Sequence, residues 1–164
     1  MPRKLGRSGE TRFANLVADY ELGATCNDSH EDEHGWDHVV EFDSHPSPGV
    51  PADLQTSIPA VFVQTKTRAS FTSLKVTVKL SNALAFTRSN NPCFVVLVSA
   101  PPSEPPRFHA VHWWDELIAR TLKRARELHR EGVNESSFHQ KEGTGTYLSP
   151  KSMSDDLFAS PGRP

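Results

Sequence analysis

Five consecutive apolar residues, Phe94-Val95-Val96-Leu97-Val98, follow the break Asn90-Asn91-Pro92. Strand side chains alternate between faces, so a run with no polar member needs cover on both sides. The run predicts a central strand, and with it a layered α/β domain with a mixed sheet flanked by helices. A second strand, Val61-Phe62-Val63-Gln64-Thr65-Lys66, sets the polar Gln64 and Lys66 on the face of Phe62, leaving Val61, Val63 and Thr65 on the other. If that face is covered, an amide and an ammonium there need partners or a function.

The remaining elements follow from periodicity and punctuation. Phe13, Leu16, Val17 and Tyr20 recur at helical spacing, with Ser8 as the expected cap, Glu10 in the first turn and Gly23 at the end. Short strands are expected near residues 24–26 and over 36–42. In the second, Asp37, Val39 and Glu41 share a face. Residues 44–51, rich in Pro and Ser, read as a loop. Residues 74–78 alternate like a strand, 79–88 read as a helix and 108–113 as a last strand. A helix capped by Asp115, with Leu117, Ile118, Leu122, Ala125 and Leu128 as its stripe, ends at Gly132. The basic residues Lys123, Arg124, Arg126 and Arg130 near its end read first as compensation of the helix dipole. One domain over residues 1–132 is therefore expected. Residues 133–164, whose few apolar anchors are Phe138, Tyr147, Leu148, Leu157 and Phe158, form an extension, partly ordered or leading to another domain.

The 164 residues suit one core, and no apolar run approaches the roughly 18 residues of a membrane span. The basic start Met1-Pro2-Arg3-Lys4 lacks a secretory apolar segment, and Cys26 and Cys93 make no disulfide framework, which points to the cytoplasm. A net charge of −2 argues against nucleic-acid binding by bulk charge. Its distribution is more telling: seven acids and no Lys or Arg lie between Asp28 and Asp43, so the rest of the chain is net positive. An acidic pocket in a basic body suits a cation-dependent enzyme acting on a polyanion. A solvated acidic loop is the bland alternative.

Phosphodiester cleavage needs an activated water and relief of charge at phosphorus and on the leaving oxygen, all of which a divalent ion supplies. Mg²⁺ takes one or two carboxylates and completes its shell with water and phosphate. Asp37, at a strand start after Gly35-Trp36, is the expected first ligand; the Gln64 amide oxygen and the Thr65 carbonyl are the others. Lys66 would orient water and stabilise phosphoryl charge, and Glu10 would bind a metal-bound water or help hold a second ion. Of the seven lysines, only Lys66 has Asp, Glu or Gln two places before it, and it lies on the best-defined strand. Gly9-Glu10, Asp37 and Gln64-Thr65-Lys66, in an αβββαβ order, resemble the PD-(D/E)XK nuclease superfamily over residues 7–99.

Within it the chain is similar to bacterial members with a Gln-x-Lys motif, among them nuclease domains attached to sensor domains in anti-phage defence. The resemblance implies a restriction-endonuclease-like core, DNA hydrolysis with Mg²⁺ or Mn²⁺, and catalytic roles for Glu10, Asp37, Gln64 and Lys66. It further implies a homo-oligomer and a sensor or regulatory partner. Gln64 departs from the usual acid, and a neutral amide binds a divalent ion less strongly. A catalytically inactive nucleic-acid- or protein-binding module on the same fold is the competing reading. A purely structural domain, with Gln64 and Lys66 paired to Asp37, is the third.

Arg7, Ser8, Arg68, Lys75 and Lys79 flank the expected site and are the candidate DNA contacts. Of Trp113 and Trp114, one is expected in the core and the other free to stack on bases. His30, His34 and His38 would align on a helix as a zinc site, but Gly35, Trp36 and the following strand pattern break that helix.

Overall fold

The computed structural model describes residues 3–19, 23–29, 35–43, 48–51, 54, 60–70, 74–101, 104–141 and 146–147. Helix α1 (Arg3–Asp19) is followed by strands β1 (Ala24–Asp28), β2 (His38–Phe42) and β3 (Ala60–Arg68). The two-residue strand β4 (Lys75–Val76), helix α2 (Leu80–Arg88), and strands β5 (Cys93–Ser99) and β6 (Arg107–His112) come next. Helix α3 (Asp115–Arg130), a 3-10 turn (Glu135–Gln140) and strand β7 (Thr146–Tyr147) complete the described elements.

Five strands form a mixed sheet in the order β1-β2-β3-β5-β6. β1, β2 and β3 are an antiparallel meander, β3 and β5 are parallel, and β6 returns antiparallel to β5. The parallel pair requires a crossover, and α2 provides it. The apolar run lies in β5, where Val95, Val96, Leu97 and Val98 are all buried. Cys93, Val95 and Leu97 pack with Ala83 and Phe86 of α2 and with Trp113, whereas Val96 and Val98 pack with Phe13 of α1, Val40 and Val63. The sheet is thus covered on both faces, as the run requires. A third cluster, Leu80, Leu84, Leu128 and Phe138, joins α2, α3 and the 3-10 turn, so residues beyond 132 contribute to the same body. β7 adds a pairing with β4.

Several boundaries move. α1 begins at Arg3, so Ser8 lies inside it and is not its cap, and Glu10 is two turns from its start. β2 begins at His38 and leaves Asp37 just outside, and only Lys75 and Val76 of 74–78 pair as a strand. The residue capping α3 is Trp114; Asp115 is its first helical residue, with φ of 39°. The acidic residues Glu31, Asp32 and Glu33, the histidines His30 and His34, the loop residues 44–47, and Leu148, Leu157 and Phe158 lie outside the described residues.

α1 sits close on the sheet because residue 9 is glycine: a Cβ there would run into Thr67 Oγ1 and come 2.9 Å from Thr67 Cβ. That approach brings the next residue, Glu10, over the far end of β3.

Candidate active site

β3 outruns its neighbour. His38, the first residue of β2, pairs with Val63, and Asp37 N–H donates to the Val63 carbonyl at 2.8 Å. From Gln64 onward, β3 has β5 on one side and a side open to Asp37 on the other. In a strand the N–H and C=O of one residue point to the same side, so Thr65, two residues after Val63, faces Asp37 with both. Its N–H and its Oγ1 donate to Asp37 Oδ2 at 2.6 and 3.0 Å. The carboxylate is held by one oxygen, and among the described residues Oδ1 takes no hydrogen bond.

Gln64 lies on the other face of β3, beneath α2, and is 4% exposed. Its Nε2 donates to the Gly35 carbonyl at 2.7 Å. A carbonyl only accepts, so this bond fixes the amide's orientation. Oε1 is then left buried without a partner. Asn82 of α2 donates to the same carbonyl at 3.4 Å. Residue 35 must be glycine twice over: its φ is +81°, and a Cβ would come 2.6 Å from the Asn82 side chain. Trp36 stacks on Phe62 with ring centroids 4.1 Å apart and planes 7° off parallel, fixing the segment that delivers Asp37.

Lys66 is half-buried on the Gln64 face and forms no hydrogen bond or ion pair among the described residues. Burial lowers its pKa from the ordinary 10.5, Asp37 and Glu10 oppose the fall, and Lys79 adds to it. Glu10 has the opposite displacement. Burial raises its pKa above 4.5, Asp37 and Asp28 raise it further, and His38 and Arg7 work against them. These mutual effects place Glu10, Asp37 and Lys66 in one electrostatic neighbourhood, reached from α1, the β2 entry and β3. Arg7, Glu10, Thr11, Asp28, Asp37 and His38 line a cleft of about 520 Å³ on the α1 side. There the buried His38 gives its Nδ1 proton to Asp28 Oδ1 at 2.9 Å, since a carboxylate only accepts, and its Nε2 is buried without a partner.

Glu10 and Asp37 line the α1-side cleft, Gln64 and Lys66 lie on the opposite face of β3, and among the described residues Asp37 bonds to Thr65 with no hydrogen bond to Gln64 or Lys66. Among the described residues no three His, Cys, Asp or Glu side chains group to hold a metal. Among the described residues Asp37 Oδ1 takes no hydrogen bond and Gln64 Oε1 is buried without one, and both are oxygen donors of the kind Mg²⁺ accepts. The flanking cations divide between two sides. Arg7 is exposed in the cleft, whereas the Ser8 hydroxyl accepts from Arg12 Nε at 3.4 Å inside α1. Arg68 donates to the Lys75 carbonyl, and Lys75 and Lys79 are exposed towards the start of α2.

The Gly35 carbonyl, Asn82 and the Asp28–His38 pair escape a reading of the sequence for these functional positions. Asn82 carries a faint signal, a polar residue two places into the Leu80–Phe86 stretch, and Gly35 another, a glycine directly before Trp-Asp. Neither a family model, nor a curated protein, nor a solved structure matches the chain.

A consequence of the Glu10 environment is testable without any metal. The folded state holds the Glu10 proton more tightly than the unfolded chain, so stability falls as pH rises from 4.5 through the folded-state pKa. Glu10→Gln should be the more stable protein at neutral pH, by less than about 1 kcal/mol because solvent screens this partly exposed group. The advantage should vanish as pH falls towards 4.5, as read by urea denaturation across pH.

Proposed function

We propose that the chain is a metal-dependent deoxyribonuclease with a restriction-endonuclease-like core, hydrolysing DNA phosphodiester bonds with Mg²⁺ or Mn²⁺. The observation that carries this reading is the buried, unpartnered Gln64 Oε1 beside the open edge of β3, where Asp37, Glu10 and Lys66 act on one another. An orphaned buried oxygen costs about 1–3 kcal/mol, and a cation at that edge would remove the cost. The element order also supports it: helix, three antiparallel strands, crossover helix, parallel strand.

In this reading Asp37 Oδ1, Gln64 Oε1 and the Thr65 carbonyl hold the ion, which when bound supplies Lewis acidity and a more acidic water. Thr65 N–H and Oγ1 keep the Asp37 carboxylate from turning away. Gly35 and Asn82 keep the Gln64 amide oxygen on the site side. Lys66, half-buried and without a partner among the described residues, meets the phosphoryl oxygens as negative charge grows there. Glu10, whose carboxylate is already costly, accepts a proton from the attacking water or steadies a second ion. Arg7, Lys75 and Lys79 reach backbone phosphates, with Ser8 and Arg68 beside them. A role in bacterial anti-phage defence, a homo-oligomeric state, cytoplasmic location and a sensor partner rest on the resemblance in sequence. Among the described residues no helix is long and apolar enough to cross a membrane.

The test is cleavage of supercoiled plasmid with and without Mg²⁺ or Mn²⁺, beside the Asp37→Asn variant. The asparagine oxygen still accepts from Thr65, so the fold should persist while metal-dependent cleavage falls by about 100-fold or more. Metal-independent cleavage, or full activity in Asp37→Asn, would sink the proposal.

A further inference from the structure

Away from the cleft, three aromatic rings climb out of the sheet in register. Phe94 of β5, half-buried, stacks on His112 of β6 with centroids 4.7 Å apart and planes at 18°. His112 in turn stacks on Trp114 at 5.5 Å and 16°. Trp114 ends the series and is 65% exposed, whereas its neighbour Trp113 is buried and donates from Nε1 to Thr87 Oγ1 at 3.4 Å. An exposed indole of this kind is an unusual use of apolar surface, since it leaves one of the largest side chains in water.

Trp114 is also held firmly. It caps α3, and its carbonyl accepts from Leu117 N–H at 2.9 Å. The next residue, Asp115, takes a φ of 39°, an unfavourable conformation for a side chain with a Cβ. Trp114 itself is extended, so its indole continues the face of His112, two residues earlier. Beside the indole, Asn90 and Asn91 share with it a hollow of about 140 Å³ that no carboxylate lines. The Ser89 hydroxyl ties the Asn91 backbone at both N–H and C=O, which leaves both asparagine side-chain amides without a partner among the described residues.

We infer that Trp114 is a stacking platform for an unpaired nucleobase, and hence that the nuclease proposed above engages DNA with a single-stranded portion. The inference rests on that reading for its choice of DNA. A fourth flat ring continues the Phe94–His112–Trp114 series, and a free amide supplies both a donor and an acceptor to a base edge. A base within a duplex has both faces occupied and cannot join the series.

The experiment uses a fluorescein-labelled mixed-sequence single strand and the matching duplex, titrated with full-length protein in EDTA so that nothing is cut. Trp114→Ala should weaken single-strand binding by about 5- to 100-fold, and Trp114→Phe by much less, with duplex binding changed under about twofold. Equal loss on both DNAs, no loss on either, or a wild type that binds neither overturns the inference. So does a change from dimer to monomer in Trp114→Ala, which would make the indole an interface between copies. Cleavage separates the two proposals: Trp114→Ala should need more DNA with a single-stranded portion to reach half-maximal metal-dependent cleavage. Metal-dependent cleavage with normal single-strand binding in Trp114→Ala removes only the platform; selective loss of that binding in a protein that never cuts removes only the nuclease.

Discussion

Replacing Lys66 by methionine is expected to lower metal-dependent cleavage by about 10²–10³-fold, the usual effect of removing one aligned charge-stabilising group. Folding should not suffer. The Lys66 pKa is lowered, so the folded state disfavours the ammonium and stability improves as pH rises through that range. The methionine variant, free of the buried charge, should match or exceed the wild type at neutral pH, with the gap closing as pH approaches 10.5. Plasmid cleavage and urea denaturation across pH check both halves. A variant that is both inactive and unfolded would show Lys66 to be a fold residue, and an active one would exclude it from the chemistry.

Gln64→Glu has a larger effect on stability. In the proposed site the neutral amide would have two tasks: its nitrogen donates to Gly35, and its buried oxygen would meet the ion. A carboxylate repeats the second and fails the first, because it sets an oxygen against a carbonyl now met at 2.7 Å. The variant should lose about 2 kcal/mol or more without metal, roughly 4–8 °C in Tm for a chain of this size. Added Mn²⁺ should return more of that stability than it gives the wild type, because the added charge binds the ion more tightly. Calorimetric melting with and without Mn²⁺ measures this. Equal metal response in the two proteins would remove Gln64 from the ligand set. The same geometry gives a reason for glutamine at this position: the acid usual in the resembled family would oppose Gly35.

Much of the framework was legible because it rests on side-chain periodicity. The 94–98 run located β5 and its double cover, and the stripe of α3 fell where expected, Leu117 and Ile118 on one cluster and Leu122, Ala125 and Leu128 on another. The alternation in β3 assigned Gln64 and Lys66 to one face. Part of what escaped has no side-chain signature. The acceptor that orients Gln64 is a main-chain carbonyl, and any residue offers one. α1 was read too short because Ser8 is a good cap in isolation, while the close fit of Gly9 on Thr67 is a matter of tertiary packing. Asp37 was read as a ligand, yet its bond to Thr65 depends on where β2 happens to stop.

That stopping point bears on solubility. Beyond Val63, β3 presents main-chain groups of the kind a stray strand from another molecule can pair with, and proteins commonly screen such edges with charge. Asp37 occupies Thr65 N–H and puts a carboxylate across the approach. We expect the same side chain to guard this edge against pairing with another molecule. Asp37→Ala removes bond and charge together and should lower the concentration at which the protein stays monodisperse, whereas Asp37→Asn keeps the bond.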